Sequence, residues 1–276
     1  MNTSPWSHQR RAGIADDIDF EIKGQELQFV EIELDPGESA VAEAGALVWK
    51  DAAIGMTTVF GDGSGGADGG FMGKLLGAGK RLVTGESLFT TVFTHNGSGK
   101  ARVAFASPTP GSILPIRLDQ LGGTLICQKD SFLCAAKGVS IGVAFQRKVM
   151  TGLFGGEGFV MQKLDGDGWV FVQMGGTVVE RELRAGEELH VDTGCLAAYT
   201  PSVDFDLVTV GGIRTMFSAG EGAFFARLRG PGKVWIQSLP FARLAGRMMA
   251  AAGGRGGNRG EGSVLGGLGD FIGGND

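Results

Sequence analysis

Cysteine is scarce in this 276-residue chain, which contains only Cys127, Cys134 and Cys195. The number is odd, and no two of these residues have the C-x-x-C spacing of zinc sites and redox-active pairs. This argues against a disulfide framework or a zinc site, and the three thiols are predicted to be reduced and buried. Reduced thiols are typical of the cytoplasm, which is the predicted location.

Long apolar runs are also missing. No segment approaches the roughly 18 apolar residues of a transmembrane helix, and the N-terminal sequence MNTSPWSHQRRAGIADDIDF has no apolar core of a signal peptide. Acidic residues outnumber basic ones, so the formal net charge is −5 and the isoelectric point is about 5.3. Non-specific binding of nucleic acid needs a basic surface, so this balance argues against a nucleic-acid partner.

Recognisable catalytic patterns are absent. His8, His95 and His190 are isolated from one another, and no HxxxH, HxH or HExxH pattern offers a metal site. No G-x-S-x-G nucleophile elbow occurs. The GSGK sequence at 97–100 lacks the first glycine and the final Ser or Thr of a phosphate-binding loop. The sequence therefore predicts a protein that is not an enzyme and that uses no metal or cofactor.

Glycine, by contrast, is abundant, with 50 residues against 8 prolines and no G-X-Y period. Much of it lies between short apolar runs, in the turn sequences PGE, NGSG, DGDG, AGE and GPG. VEIEL at 30–34 alternates apolar and acidic residues, which is typical of a strand with one wet face. WVFV at 169–172 and FDLVTV at 205–210 are typical of strands buried on both faces. These patterns predict an all-β fold.

One stretch of sequence recurs. A shift of 64 residues places GEGFVMQKLDGDGWVFVQ (156–173) on GEGAFFARLRGPGKVWIQ (220–237) with eight identities and no gap. A weaker copy, shifted back by 71 residues, contains GESLF and ends in NGSG. The residues of the repeated turn motif are Gly85 and Glu86, Gly156 and Glu157, and Gly220 and Glu221.

A second pattern repeats beside the first. LDPGESAVAEAGAL (34–47) matches LRAGEELHVDTGCL (183–196), with a degenerate middle copy around Gly122. The distance from the glycine of this second pattern to the glycine of the next Gly-Glu motif is 34 residues in the second and third copies. In the first copy it is 48 residues, because a glycine-rich insertion at 61–70 lies between them. Repeats of this kind predict one compact domain of three β units around a pseudo-threefold axis. The domain is predicted at 16–240, with units at about 16–97, 98–168 and 169–240.

The recurring glutamates leave two interpretations open. In the favoured one, Glu86, Glu157 and Glu221, like Glu38 and Glu187 of the second pattern, stabilise glycine turns by accepting backbone N–H bonds or pairing with strand arginines. In the other, the first three form a cation or ligand ring around the axis. The DGDG sequence at 165–168 is predicted to be a hairpin turn, because its counterparts keep the glycines and lose the acids.

Two segments depart from the β pattern. Residues 71–82 form a candidate amphipathic helix, and 238–254 form a clearer one, beginning near Pro240 and followed by a glycine-rich tail to 276. A short helix is marginal alone in water, so its apolar face must pack on the β units or on another subunit. We expect a homo-oligomer with this face at the contact. The proposed interface residues are Phe241, Leu244, Met248 and Met249.

The combined motifs resemble a bacterial family of uncharacterised proteins related to the fungal mitochondrial-biogenesis protein named for altered inheritance of mitochondria. The sequences that carry the resemblance are IKGQELQFVEIELDPGESAVAEAGALVW, GESLFTTVF, PGSILPIRL and GEGFVMQKLDGDGWVFVQMGGTVVERELRAGEELHVDTGCLAAY. The resemblance implies a fold like that of the tryptophan RNA-binding attenuation protein, a short double-stranded β-helix that assembles in rings, here repeated within one chain. The mitochondrial relative is linked to inner-membrane organisation, and no catalytic residues carry over.

Two functions from different classes are compatible with these observations. The first is a non-enzymatic scaffold or interaction protein that self-associates and binds a protein or peripheral membrane partner. The second is a small-ligand or nucleotide-binding module that uses a groove between repeats. A scaffold predicts exposed apolar patches, whereas a ligand site predicts a concave pocket with convergent polar groups.

Overall fold

The computed structural model describes residues 15–60, 89–107, 109–147, 159–209 and 224–253. These ranges contain nineteen strands and one α-helix, which confirms the predicted mostly β fold with a short C-terminal helix. The elements are β1 (Asp19–Lys23), β2 (Phe29–Leu34), β3 (Ser39–Glu43), β4 (Leu47–Lys50), β5 (Ile54–Phe60), β6 (Phe89–His95), β7 (Ala101–Ala106), β8 (Gly111–Arg117), β9 (Thr124–Gln128), β10 (Phe132–Ala136), β11 (Ser140–Arg147), β12 (Phe159–Asp165), β13 (Trp169–Gly175), β14 (Val178–Leu183), β15 (Glu188–Asp192), β16 (Leu196–Tyr199), β17 (Asp204–Thr209), β18 (Phe224–Arg229), β19 (Gly232–Gln237) and α1 (Phe241–Gly253).

The strands of the described ranges form four sheets in which all strand pairs are antiparallel. Two sheets have six strands, in the orders β5-β6-β3-β10-β13-β8 and β11-β12-β9-β16-β19-β14. The other two have the orders β1-β2-β7-β4 and β15-β18-β17. Both six-stranded sheets combine strands from distant parts of the chain, so they tie the molecule together.

Strand β2 shows how the alternating VEIEL pattern is used. Val30, Ile32 and Leu34 are fully buried in the core. The acids between them point to the opposite face and are partly covered by basic side chains of β1, β7 and the turn before β7. Lys100 lies 2.6 Å from a carboxylate oxygen of Glu33, and its hydrogen bond is the main reason that the pKa of Glu33 is lowered. The predicted wet face is therefore a surface of ion pairs.

The DGDG turn is not a hairpin, so that prediction is wrong. It joins β12 to β13, but β12 pairs with β11 and β9, whereas β13 pairs with β10 and β8. The turn is a corner between two sheets, and the acids of the motif bind residues from distant parts of the chain. Asp165 accepts a hydrogen bond from Thr124, and Asp167 accepts one from the backbone N–H of Ala15. Glycine permits the turn in either case, so turn chemistry alone does not show whether the flanking strands pair.

In the part of the chain that the structure describes, the core consists of three clusters of buried apolar residues. The first combines β2, β3 and β7 with residues of β10 and β13, including Phe171. The second is centred on β9, β10 and β13 and extends to β16 and β19. The third combines β12 with β15 to β19. WVFV lies in β13, where Val170, Phe171 and Val172 are fully buried, as predicted for a strand covered on both faces.

Several predicted features lie outside the described residues. They are the glycine-rich insertion at 61–70, the candidate helix at 71–82, the C-terminal tail from 254, and the three Gly-Glu turns. The helix predicted at 238–254 is described and forms α1 at Phe241–Gly253.

Candidate functional site

The connections that contain the repeated Gly-Glu motif occupy comparable positions. Gly85 and Glu86, Gly156 and Glu157, and Gly220 and Glu221 fall between β5 and β6, β11 and β12, and β17 and β18. In each case the two flanking strands pair with each other up to their ends, where the Cα partners are Phe60 and Phe89, Arg147 and Phe159, and Thr209 and Phe224. The ligand ring of the three glutamates stays a prediction.

Glu38 and Glu187, from the second repeated pattern, have the structural role. Oε2 of Glu38 accepts the backbone N–H of Asp35 at 2.8 Å. Oε2 of Glu187 accepts the backbone N–H of Arg184 at 3.1 Å. The other oxygen of Glu187 accepts a hydrogen bond from Arg181 of β14 at 3.0 Å. Each carboxylate therefore closes its own turn, and the favoured interpretation is confirmed for these two glutamates.

The C-terminal helix is attached to the sheets through its first turn. The backbone N–H of Leu239 donates to the carbonyl of Gly175 at 3.1 Å, and that of Arg243 donates to the carbonyl of Pro240 at 3.0 Å. The Arg243 guanidinium also lies 3.5 Å from a carboxylate oxygen of Asp192, at the end of β15. These contacts fix where α1 begins.

The apolar face of α1 is largely uncovered. The exposed fractions are 52% for Phe241, 62% for Met248 and 75% for Met249, whereas Leu244 is half-buried. Within the described ranges the four proposed interface residues are thus not packed into a core. An exposed cluster of large apolar side chains is typical of an interaction surface.

A groove of about 450 Å³ lies where β9 and β16 meet. Its walls include Phe145, Tyr199 and Phe205, and the last two rings are stacked with centroids 5.4 Å apart. Ser202 and Asp204 supply polar groups at its edge. If the protein were a small-ligand or nucleotide-binding module, this groove would be its binding site. Ligand binding stays a prediction.

His95 and the two buried cysteines are part of the folded interior. His95 is buried, its Nε2 lies 2.9 Å from the carbonyl oxygen of Gly99, and its Nδ1 accepts the Gly97 N–H at 3.2 Å, so it holds the NGSG turn. None of the three cysteines forms a disulfide. Cys127 and Cys134 are buried as predicted, and burial raises the pKa of Cys127 to about 12. Cys195 is only half-buried, because it follows β15 in a turn.

Glu43 at the end of β3 has an unusual carboxyl. Part of the residue is exposed, yet surrounding protein desolvates the carboxyl, and this burial raises its pKa to about 7. The charge of Asp130 adds to the increase, while Lys129 opposes it. No three His, Cys, Asp or Glu side chains in the described part of the chain are close enough to hold a metal ion.

The raised pKa of Glu43 predicts a pH dependence of stability. The pKa of the Glu43 carboxyl is about 7 in the folded chain and 4.5 in the unfolded chain. The free energy of unfolding therefore falls as pH rises from 4.5 to 7, because the folded state disfavours the ionised carboxylate. We expect Glu43→Gln to be more stable than the native chain at pH 8, by about 1 kcal/mol or less because solvent screens the exposed part. The difference should shrink at pH 5. Urea unfolding at both pH values measures it.

The control for this test is Glu182→Gln, on the exposed face of β14. Its effect at each pH value is the reference for removing an exposed strand glutamate. A gain for Glu43→Gln that is the same at pH 5 and pH 8 would show that ionisation of Glu43 is not the cause.

Comparison with known proteins identifies the family. Residues 20–239 match the family described as Mitochondrial biogenesis AIM24, a range that runs from β1 to the residues just before α1. The chain belongs to the AIM24 family. Its β structure is therefore the family's own domain, and α1 lies immediately beyond the matched range.

One protein of known sequence and one of known structure are similar to this chain over most of its length. The chain is 30% identical over 230 residues to the uncharacterized protein M6_Spy0233 of Streptococcus pyogenes serotype M6, covering 82% of this chain and 87% of the relative. The crystal structure of protein SPYM3_0169 from Streptococcus pyogenes is similar, with a TM-score of 0.67, 24% identity, and coverage of 85% of this chain and 99% of that one. This likeness supports the fold. The likeness to the ring-forming attenuation protein stays a prediction.

No helix in the described ranges is long and apolar enough to cross a membrane. Sequence reasoning did not name the residues that line the groove of the AIM24 domain, and it missed the desolvated carboxyl of Glu43. Neither had a local signal, because both depend on strands that come from separate parts of the chain.

Proposed function

We propose that this AIM24-family protein is a non-enzymatic interaction protein or scaffold that self-associates in the cytoplasm through the apolar face of α1. The observation that carries the proposal is the exposure of Phe241, Met248 and Met249 on a helix whose first turn contacts the end of β15. Methionine side chains are flexible and polarisable, so they suit an adaptable interface. The occupant we favour is a second copy of the chain.

A repeated architecture supports the same proposal. Strands β2–β7, β8–β13 and β14–β19 form three groups of six. In each group the first, sixth and third strands are neighbours in one sheet, and the fourth, fifth and second are neighbours in another. We infer three equivalent β units arranged about a pseudo-threefold axis, with boundaries one strand later than the sequence indicated. Proteins built from stacked units present surfaces suited to further association.

Light scattering tests the proposal. The native chain should have a mass that is a multiple of 28.7 kDa. Replacing both Met248 and Met249 by Glu places charge on two exposed positions and should raise the dissociation constant about tenfold or more, a size typical of central interface residues. The fold should be retained, because neither side chain is buried.

The matched control is Val179→Glu on β14, an apolar residue with 48% exposure away from α1. It should leave the mass unchanged. A native chain that stays at 28.7 kDa at high concentration would contradict the proposal, and sedimentation with anionic vesicles would then test the helix as a peripheral membrane contact.

A further inference from the structure

We propose that the free edge of β4 in one copy pairs with the free edge of β15 in a second copy, forming a continuous antiparallel sheet. This inference rests on the proposed self-association and names a surface separate from the face of α1. It follows from two junctions that the chain already makes within itself.

The two internal junctions follow one rule. Strand β3 pairs with β10, and β9 pairs with β16. In the six-strand groups defined above, each junction joins the second strand of one group to the third strand of the next. The rule leaves one third strand, β4, and one second strand, β15, without such a neighbour in the described ranges. Both stand at the ends of their sheets.

Strand β4 has the same local construction as the third strands that are covered. Each of the three has a register irregularity against its sixth strand, between Leu47 and Trp49, between Phe132 and Cys134, and between Leu196 and Ala198. A β-bulge at the same position re-aims the following side chains in the same way. Strand β4 is therefore shaped like β10 and β16.

Side chains of β4 are exposed at positions where those of β10 and β16 are buried by a neighbouring strand. Val48 is 53% exposed and Trp49 is 37% exposed. The residues at the positions of Val48 in the other two strands, Leu133 and Ala197, are 2% and 0% exposed. The residues at the position of Trp49, Cys134 and Ala198, are both fully buried. An unpaired edge that exposes apolar side chains is a template for another strand.

The two internal junctions have the same pairing register, which predicts the register of β4 against β15. Cys134 is opposite Ala42, and Ala198 is opposite Cys127. Ala135 is opposite Val41, and Tyr199 is opposite Ile126. Carried over to β4 and β15, these pairs put Trp49 opposite Val191 and Lys50 opposite His190.

This register is complementary in charge. Lys50 would lie on the same face as Glu188 and Asp192, which are two residues to either side of His190. Diagonal neighbours across an antiparallel pair lie within reach of long side chains. Trp49 would meet Val191 on the other face, an aromatic and β-branched pair of the kind that stabilises sheets. The acids and the histidine keep β15 soluble while it is unpaired.

A second copy is the occupant because the third junction, which would close the pseudo-threefold arrangement, is not made within one chain: among the described residues β4 pairs only with β7, and β15 pairs only with β18. Each chain carries one β4 edge and one β15 edge, so the contact is head to tail. Such interfaces produce closed rings or open filaments, depending on the rotation between copies. Helix α1 is adjacent to this surface, since Arg243 contacts Asp192.

Disulfide cross-linking tests the register. In a Cys195→Ser background, Lys50→Cys and His190→Cys variants of the full chain are mixed and oxidised gently. Directly opposite residues in an antiparallel pair have Cα atoms about 4.5–5.5 Å apart, which a disulfide spans. The mixture should give a covalent dimer with at least about tenfold higher yield than either variant alone. Mass spectrometry of the cross-linked peptide identifies the pair.

A mixture of Lys50→Cys with Val179→Cys is the control, because Val179 is an exposed residue of another edge strand. A chain carrying both Lys50→Cys and His190→Cys should form a ladder of covalent oligomers. If it forms only an intramolecular disulfide, the two edges meet in one chain and the inference is wrong. A yield for the Lys50 and His190 mixture equal to that of the control also overturns it.

These outcomes separate the inference from the proposed function. A native chain that is oligomeric by light scattering but shows no specific cross-link rejects the edge pairing and leaves the helix interface standing. A specific cross-link in a Met248→Glu, Met249→Glu background supports the edge pairing and shows that it does not need the helix face. A monomeric native chain without a cross-link rejects both.

Discussion

Replacing Phe171 by Ala is expected to lower the free energy of unfolding by about 3–5 kcal/mol, the usual cost of removing a buried phenylalanine ring. Phe171 is fully buried on β13, and its ring lies 4.8 Å from that of Phe20 in an edge-to-face contact. It belongs to the first core cluster together with residues of β2, β3 and β7. The cavity would therefore open at the seam between two strand groups. Urea unfolding followed by circular dichroism measures the loss.

The control for Phe171→Ala is Val179→Ala, because Val179 is an apolar strand residue away from α1 and is 48% exposed. Its expected effect is within about 0.5 kcal/mol, as for most surface substitutions. If Phe171→Ala costs less than about 1 kcal/mol, the seam between the strand groups does not hold the domain together as the burial indicates.

Replacing Gly175 by Ala is expected to cost about 2–3 kcal/mol, because the added methyl group overpacks a site with no room. A Cβ at Gly175 would collide with the backbone carbonyl oxygen of Leu239, which cannot swing away like a side chain. The same glycine accepts the Leu239 N–H at 3.1 Å and donates its own N–H to Gln237 at 2.8 Å. The substitution should therefore displace the segment that leads into α1. Thermal unfolding measures the cost.

The control for Gly175→Ala is Gly142→Ala on β11, where the added methyl group would meet no atom within 4 Å. This control should be neutral or slightly stabilising, because alanine restricts the unfolded chain more than glycine does. Equal melting temperatures for the two variants would show that the segment after β19 moves aside at little cost. In that case α1 is not fixed in place by Gly175.

Local sequence patterns predicted the parts of the site that depend on neighbouring residues. The alternation in VEIEL placed Val30, Ile32 and Leu34 in the core, and the Gly-Glu turns assigned Glu38 and Glu187 a structural role that the backbone hydrogen bonds confirm. The apolar face of α1 was also readable, because helical periodicity is a property of one short segment. In each of these cases the deciding interaction lies within a few residues along the chain.

The partners of the strands were not readable in the same way. The DGDG sequence indicated a turn, but β12 and β13 belong to different sheets. The junctions of β3 with β10 and of β9 with β16 were likewise not predicted, and neither were the open edges of β4 and β15. Backbone N–H and C=O groups are the same in every residue, so a strand's sequence carries little information about which edge it will meet.

The sequence by itself therefore determined that this chain is a β protein of the AIM24 family, with glycine turns in fixed places and an amphipathic helix after its last strand. Side-chain alternation and turn chemistry are local, and they act before any tertiary contact forms. Only the tertiary structure decided that three strand groups share two six-stranded sheets, and that Val48 and Trp49 stay exposed where their counterparts are buried. The reason is that pairing between distant strands depends on how the whole core packs, which no single segment encodes.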